Sequence, residues 1–186
     1  MIEINNITYI EYFELEESEK QIYNQCIKYA YSFNLPVDHF EIGDFMQISF
    51  GIIKDIQFDL SEGLIFNKVI EYLSLLSGKK QNMIAKEKLL TVCQARKYLI
   101  NEIDRITEIE NIALSHIATS EELEAGINEL SSLGSYLQFR SLTGGDVTKL
   151  EHIRNLKYEL CFTELVTQRK LSDYDEKLFD IRSKRK

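Results

Sequence analysis

The chain has 186 residues, of which 44% are hydrophobic and 28% are charged. This composition excludes an intrinsically disordered chain, and the length suits one domain. The single proline and eight glycines rarely interrupt helices, so we expect a mainly α, single-domain helical bundle. The net charge of −8 argues against general nucleic-acid binding, which depends on cations that displace counterions from phosphates.

The first 14 residues mix β-branched and aromatic residues with partial alternation, which predicts a strand or an extended N-terminal arm over residues 1–14. Tyr9, Tyr12 and Phe13 cluster on this segment. Aromatic side chains serve both cores and interfaces, so core packing and partner binding are both open. We take these three residues as a first candidate protein-binding site.

A helical domain is predicted over residues 15–181. Its first helix spans about residues 15–33, where apolar residues recur at spacings of three and four, and it ends at Pro36. A short extended segment is expected over residues 37–42. The turn at Gly43 and Asp44 should then open the next helix.

Two further helices should pack together at the centre. One begins at Asp59 or Ser61, is apolar nearly all round, and ends at Gly78, because glycine readily adopts the left-handed conformation that ends helices. The other spans about residues 85–109 and has one apolar face. A connection is expected over residues 111–118.

Capping signals delimit the remaining helices. Thr119 and Glu122 form a capping box, which predicts a helix that continues to about Ser132. Asp146, after two glycines, should cap a short helix. The last helix is predicted from about Asn155 to Ile181. It has two apolar sets, whose offset indicates a bend or two different neighbours: Tyr158, Cys161, Phe162 and Leu165, then Leu171, Tyr174, Leu178 and Ile181.

The C-terminal residues 182–186 form a basic tail. The last twenty residues contain seven Lys or Arg and four Asp or Glu, so the rest of the chain is strongly acidic. The tail is either a solvated helix end, where cations suit the helix dipole, or a docking element for an acidic partner. We expect that partner to be protein and not DNA. The second candidate protein-binding site is therefore Arg182, Lys184, Arg185 and Lys186.

No catalytic motif is evident in the sequence. No serine lies in a Gly-x-Ser-x-Gly turn, and the histidines and the widely spaced cysteines lack the spacing of metal ligands. We expect no enzymatic activity, no metal and no cofactor, although an active site dispersed over the fold remains an alternative. The N-terminus lacks the pattern of a signal peptide, and no run approaches the length of a membrane span, so we expect a cytosolic protein that does not enter membranes.

Two stretches of sequence resemble small helical proteins encoded among the tail and virion genes of tailed bacteriophages, including tail assembly chaperones. The stretches are residues 40–46, followed by an apolar helix that ends at residues 75–78, and residues 142–149, followed by residues 156–165. The resemblance implies a non-enzymatic protein of the host bacterial cytoplasm that coats the tape-measure protein until tube subunits replace it. The alternative is a structural virion subunit, such as a head-to-tail adaptor or ring protein. The expected partners are tape-measure, tube or portal-proximal components and further copies of this chain.

Overall fold

The computed structural model describes residues 7–30, 40–63, 66–116, 118–130 and 133–185. These residues are mainly helical, which confirms the predicted class. Short 3₁₀ helices and two isolated β-bridges complete the regular structure of this part of the chain. The α-helices are α1 (Tyr9–Glu14), α2 (Glu17–Ala30), α3 (Phe50–Ser61), α4 (Phe66–Ser77), α5 (Gln81–Ile84), α6 (Leu89–Leu114), α7 (Ser120–Glu124), α8 (Ile127–Leu130), α9 (Tyr136–Thr143), α10 (Leu150–Asn155) and α11 (Tyr158–Ser183).

The predicted N-terminal arm is only partly extended. Thr8 has extended backbone angles and forms an antiparallel bridge with Lys88, whereas residues 1–6 lie outside the described part. The prediction of an arm through residue 14 is wrong for residues 9–14, which form α1. The cause is a capping box, in which the Glu11 N–H donates to Thr8 Oγ1 (3.4 Å) and the Thr8 N–H donates to Glu11 Oε2 (2.8 Å).

In the first two thirds of the chain, several helices begin or end at residues other than those predicted. The second helix, α2, lies within the predicted range 15–33, while residues 31–39, including Pro36, fall outside the described residues. Asp59 and Ser61 lie in α3, so neither opens α4, but α4 does end before Gly78 (φ 69°) as predicted. The long helix α6 continues to Leu114, so the connection predicted over 111–118 is wrong for residues 111–114.

Caps and glycines define the last third. The capping box of Thr119 and Glu122 is confirmed at the start of α7. The predicted single helix to Ser132 is wrong, because a left-handed Gly126 (φ 84°) separates α7 from α8. Asp146 caps the 3₁₀ helix over residues 147–149, as its side chain accepts from the Thr148 N–H at 3.0 Å. The last helix, α11, is continuous over 26 residues, so the phase offset of its apolar sets does not reflect a broken helix.

The described helices divide into two compact units, and the predicted helical domain covers parts of both. Unit 1 consists of Met1–Asp44 and Ile56–Asp104, and unit 2 of Phe45–Asp55 and Arg105–Lys186. Each unit has its own buried apolar residues. Those of unit 1 include Tyr9, Phe40, Ile56, Val69, Leu73, Ile84, Leu89, Val92, Leu99 and Ile103, and those of unit 2 include Phe45, Phe50, Ile53, Ile106, Phe139, Tyr158, Cys161 and Leu165.

Within unit 2, main-chain hydrogen bonds join the start of α3 to the start of α11. The Phe50 N–H donates to the Leu156 carbonyl oxygen (2.7 Å), and the Tyr158 N–H donates to the Ile48 carbonyl oxygen (2.8 Å). The first N–H groups of a helix lack acceptors within that helix, so each helix supplies an acceptor from its preceding residues to the other. This pairing brings the Phe50 and Tyr158 rings into a stack at 5.9 Å.

Candidate protein-binding surface

Main-chain hydrogen bonds hold α1 against the segment that precedes α6 in unit 1. The Tyr9 N–H donates to the Glu87 carbonyl oxygen and the Ile10 N–H to the Ala85 carbonyl oxygen, both at 2.9 Å. These two donors would otherwise lack acceptors at the helix N-terminus. The aromatic cluster is thus carried by a short, docked helix.

The three aromatic residues of the cluster differ in exposure. Tyr9 and Tyr12 are 3% and 5% exposed, whereas Phe13 is 41% exposed. The Tyr12 hydroxyl donates to Asn24 Oδ1 at 2.7 Å, and burial raises the pKa of both tyrosine hydroxyls. The Phe13 ring centroid lies 5.0 Å from that of Tyr9 and 5.2 Å from that of Tyr12. The two tyrosines therefore belong to the core of unit 1 and support the more exposed Phe13.

A pocket of about 350 Å³ opens beside α1 in unit 1. Its lining combines apolar side chains with two side-chain amides and contains no charged residue. The lining residues are Tyr9, Ile10, Phe13, Ile70, Gln81, Asn82 and Ala85. Ile10 is 46% exposed, and Met83, on the same short helix as Gln81 and Asn82, is 56% exposed. Apolar walls with a few amides suit an uncharged apolar group that also presents hydrogen-bonding atoms.

The candidate residues of the basic tail belong to unit 2, at the end of α11. Arg182 is still helical, and Arg182, Lys184 and Arg185 are all exposed. Lys186 lies outside the described residues. The two predicted sets of site residues therefore belong to different units, and the structure does not combine them into one site.

Unit 2 contains a buried charged group that was not predicted from the sequence. Lys54 Nζ lies 2.5 Å from Glu110 Oε1, and the Tyr158 hydroxyl donates to the same oxygen at 2.7 Å. The lysine and glutamate side chains are 3% and 9% exposed. Lys54 lies one residue after Ile53 and four after Phe50, on the apolar face of α3. This position is the feature of the sequence that indicates its burial. Because these side chains are almost completely buried, as is Tyr158, we assign the group a structural role.

Burial and pairing act in opposite directions on Lys54. Burial lowers the pKa of its ammonium group, and the Glu110 carboxylate raises that pKa. The Nζ atom also lies 5.3 Å from the Phe50 ring centroid, within the range of a cation–π contact. Burial and the neighbouring Glu110 raise the pKa of the Tyr158 hydroxyl. The tyrosine therefore stays protonated and keeps its donor role toward Glu110.

The described cysteines and histidines lie apart from any metal-binding arrangement. Among the described residues, no group of three or more His, Cys, Asp or Glu side chains could hold a metal ion. The thiols of Cys93 and Cys161 are buried, and the side chain of Cys26 is outside the described part. His116 contacts Glu122 and Arg169, His152 is exposed, and His39 lies outside the described residues.

Comparison of the chain with protein-family models, curated proteins and solved structures found no match. None of the helices in the described residues combines the length and hydropathy that crossing a membrane requires.

Proposed function

We propose that this protein is a non-enzymatic bacteriophage assembly protein, specifically a tail assembly chaperone that binds the tape-measure protein. The observation that supports the proposal is the apolar pocket beside α1, with the exposed Ile10 and Phe13 among its lining residues. The resemblance of residues 40–46 and 142–149 to phage tail and virion proteins supports the family.

The pocket has the properties needed for reversible binding of an apolar helix. One or two apolar side chains of the client would enter it, and the amides of Gln81 and Asn82 would hydrogen-bond exposed polar groups around them. A few central apolar anchors usually supply most of the binding energy of an interface. Because the pocket is small, the bound client could leave when tube subunits compete for it.

Co-expression tests the proposal directly. The chain would be produced together with the long helical tape-measure protein encoded by the same phage genome, and the soluble fraction of that client would be measured. We expect the unaltered chain to keep the client soluble. Ile10→Asp should reduce the soluble fraction of the client severalfold, because a carboxylate buried against the client would lose its hydration. Thermal melting of the purified variant checks that α1 remains folded.

Phe58→Asp is the matched control for this experiment. Phe58 is 63% exposed on α3 in unit 1 and does not line the pocket. We expect it to protect the client as well as the unaltered chain does. If Ile10→Asp and Phe58→Asp protect the client equally, the pocket is not the client-binding site and the proposal loses its support.

A structural virion subunit is the second candidate. The exposed cations of Arg182, Lys184 and Arg185 favour it, because a cationic C-terminal end could bind a neighbouring subunit. Mass spectrometry of purified particles separates the two functions. A chaperone acts in the host cytoplasm and is absent from particles, whereas an adaptor or ring protein occurs in fixed copy number. Sedimentation analysis of the purified chain tests the predicted homo-oligomer.

A further inference from the structure

The second half of α11 carries apolar side chains that remain exposed. Leu171, Tyr174 and Ile181 are 59%, 61% and 50% exposed, and Leu178 is partly exposed. We call these four residues the α11 seam. All of them belong to unit 2 and to one continuous helix.

The spacing of the α11 seam is that of a coiled-coil contact. Its residues follow one another at intervals of three, four and three, which is the a and d pattern of a heptad. At 3.6 residues per turn, they occupy an arc of about 80° of the helix surface. A stripe this narrow suits contact with one partner helix, whereas a helix that packs on a core or lies on a membrane needs a wider apolar face.

Cations border the α11 seam. On one edge the flanking heptad positions hold only lysines, and on the other edge they hold Arg182 and Asp175. The three lysines are Lys170, Lys177 and Lys184, and all are exposed. The remaining acidic residues of this half project from the far side of the helix. They are Asp173, Glu176 and Asp180.

We propose that the α11 seam binds an amphipathic helix of another protein, whose apolar residues recur in heptads and whose flanking positions are acidic. The apolar side chains of the two helices would pack together, and the flanking carboxylates would pair with the lysines and Arg182. Charged residues beside a coiled-coil seam select the partner helix. This inference rests on the proposed function only because both assume a protein partner. The α11 seam is a second surface, separate from the pocket, and the inference concerns the partner that binds there.

A second copy of this chain fits the α11 seam poorly. In a parallel pair, Lys170 would meet Asp175 of the other copy, but Lys177 would meet Arg182. In an antiparallel pair, the lysine edges of the two copies would face each other. Charge therefore opposes an antiparallel pair of copies and gives no net attraction in a parallel pair.

Binding of two synthetic peptides to the full chain tests the proposal. Both are fluorescein-labelled helices of three heptads with leucine at the seam positions, and the flanking positions are all glutamate in one and all lysine in the other. We expect fluorescence anisotropy to show at least about tenfold tighter binding of the glutamate peptide, with the difference reduced by salt. The double variant Lys170→Glu/Lys177→Glu should reverse the preference.

Seam variants and a control complete the experiment. Leu171→Ser/Leu178→Ser should weaken binding of the glutamate peptide at least about tenfold, because the seam then loses its apolar contact. Phe179→Ser should leave this binding unchanged, since Phe179 is 72% exposed but lies about 120° from the seam centre. Ile10→Asp should also bind the peptide normally. The proposal for the pocket and the proposal for the seam can therefore fail independently of each other.

Three outcomes would overturn the proposal. Equal binding of the two peptides would show that the flanking cations do not select the partner. A dimer in sedimentation analysis that Leu171→Ser/Leu178→Ser dissociates would assign the seam to a second copy. Binding of vesicles that contain phosphatidylserine, lost in the same double variant, would assign it to a membrane surface.

Discussion

The first half of α11 carries Tyr158, Cys161 and Leu165 at spacings of three and four residues, and all three are buried in unit 2. The second half repeats similar spacings in the α11 seam, where three of the four side chains are at least half exposed. The first half has partners from distant parts of the chain, such as the Phe50 ring against Tyr158. Helical periodicity therefore identifies an apolar face, but the rest of the fold decides whether that face is covered.

The largest effect should come from removing the buried charge that the first half of α11 contacts. Glu110→Ala should cost about 3 to 5 kcal/mol, because it leaves the Lys54 ammonium buried without its carboxylate and the Tyr158 hydroxyl without its acceptor. The free energy of unfolding in denaturant measures this cost. The double variant Lys54→Met/Glu110→Leu should recover much of it. A cost below about 1 kcal/mol for Glu110→Ala would show that unit 2 does not depend on this pair.

A pair of identical truncations compares the two halves directly. Leu165→Ala should cost about 2 to 4 kcal/mol, since it empties a buried site. Leu171→Ala should change stability by no more than about 0.5 kcal/mol, because the side chain is 59% exposed. Denaturant unfolding of both variants provides the measurement. Equal costs would mean that the second half is covered in solution, for example by another copy of the chain.

The sequence predicts best what depends on residues close together in the chain. The capping box of Thr119 and the cap of Asp146 each involve residues only two or three positions apart. The same capping signal occurs at Thr8 and Glu11, but the arm over residues 1–14 was predicted from the β-branched and aromatic residues around it, so α1 was not predicted. Local signals compete, and here the reciprocal side-chain caps determined the backbone conformation.

Features that depend on distant residues could not be predicted. The pocket needs α1 beside Ile70 and Gln81, and no spacing in the sequence indicates that approach. Burial of Lys54 was indicated only by its place on an apolar face, and its partner Glu110 is 56 residues away. The mainly α class followed from composition, whereas the site depends on which surfaces the tertiary fold covers.

A smaller effect should follow from crowding the helices beside the first half of α11. A Cβ atom at Gly51 would lie 3.0 Å from both Cβ and the carbonyl oxygen of Arg154. These atoms, together with the Arg154 Cα atom at 3.3 Å, belong to the main chain and its Cβ, so they can move only if α10 itself shifts. Gly51→Ala should therefore destabilise the chain by about 1 to 2 kcal/mol, although alanine itself favours helix. Gly43→Ala is the control, because apart from its chain neighbours no atom lies within 4 Å of its Cβ position. Thermal unfolding that ranks the two variants equally would contradict this packing.

The smallest expected effect concerns Glu122, which His116 links to Arg169 at the boundary between the two halves of α11. Arg169 Nη2 lies 2.9 Å from His116 Nδ1. Because a guanidinium can only donate, Nδ1 accepts, and the hydrogen on Nε2 is donated to Glu122 Oε2 at 2.7 Å. The Thr119 N–H, and then the His116 side chain, lower the pKa of the Glu122 carboxyl. The ionised form of Glu122 is thus favoured in the folded state.

This shift predicts a dependence of stability on pH. A carboxyl with a lowered folded pKa contributes stability above its unfolded pKa of about 4.3, and that contribution is lost as pH falls through the folded pKa. We expect Glu122→Gln to lower the melting temperature slightly at about pH 6, and the difference to shrink toward about pH 3 as the carboxyl of the unaltered chain is protonated. Glutamine can still cap α7, so the comparison isolates the charge. Glu121→Gln, outside the capping box, should show a smaller pH-dependent difference. If the difference in melting temperature between Glu122→Gln and the unaltered chain widens on acidification, the folded state disfavours ionised Glu122. The hydrogens in the bonds from Arg169 through His116 to Glu122 would then have to be placed differently.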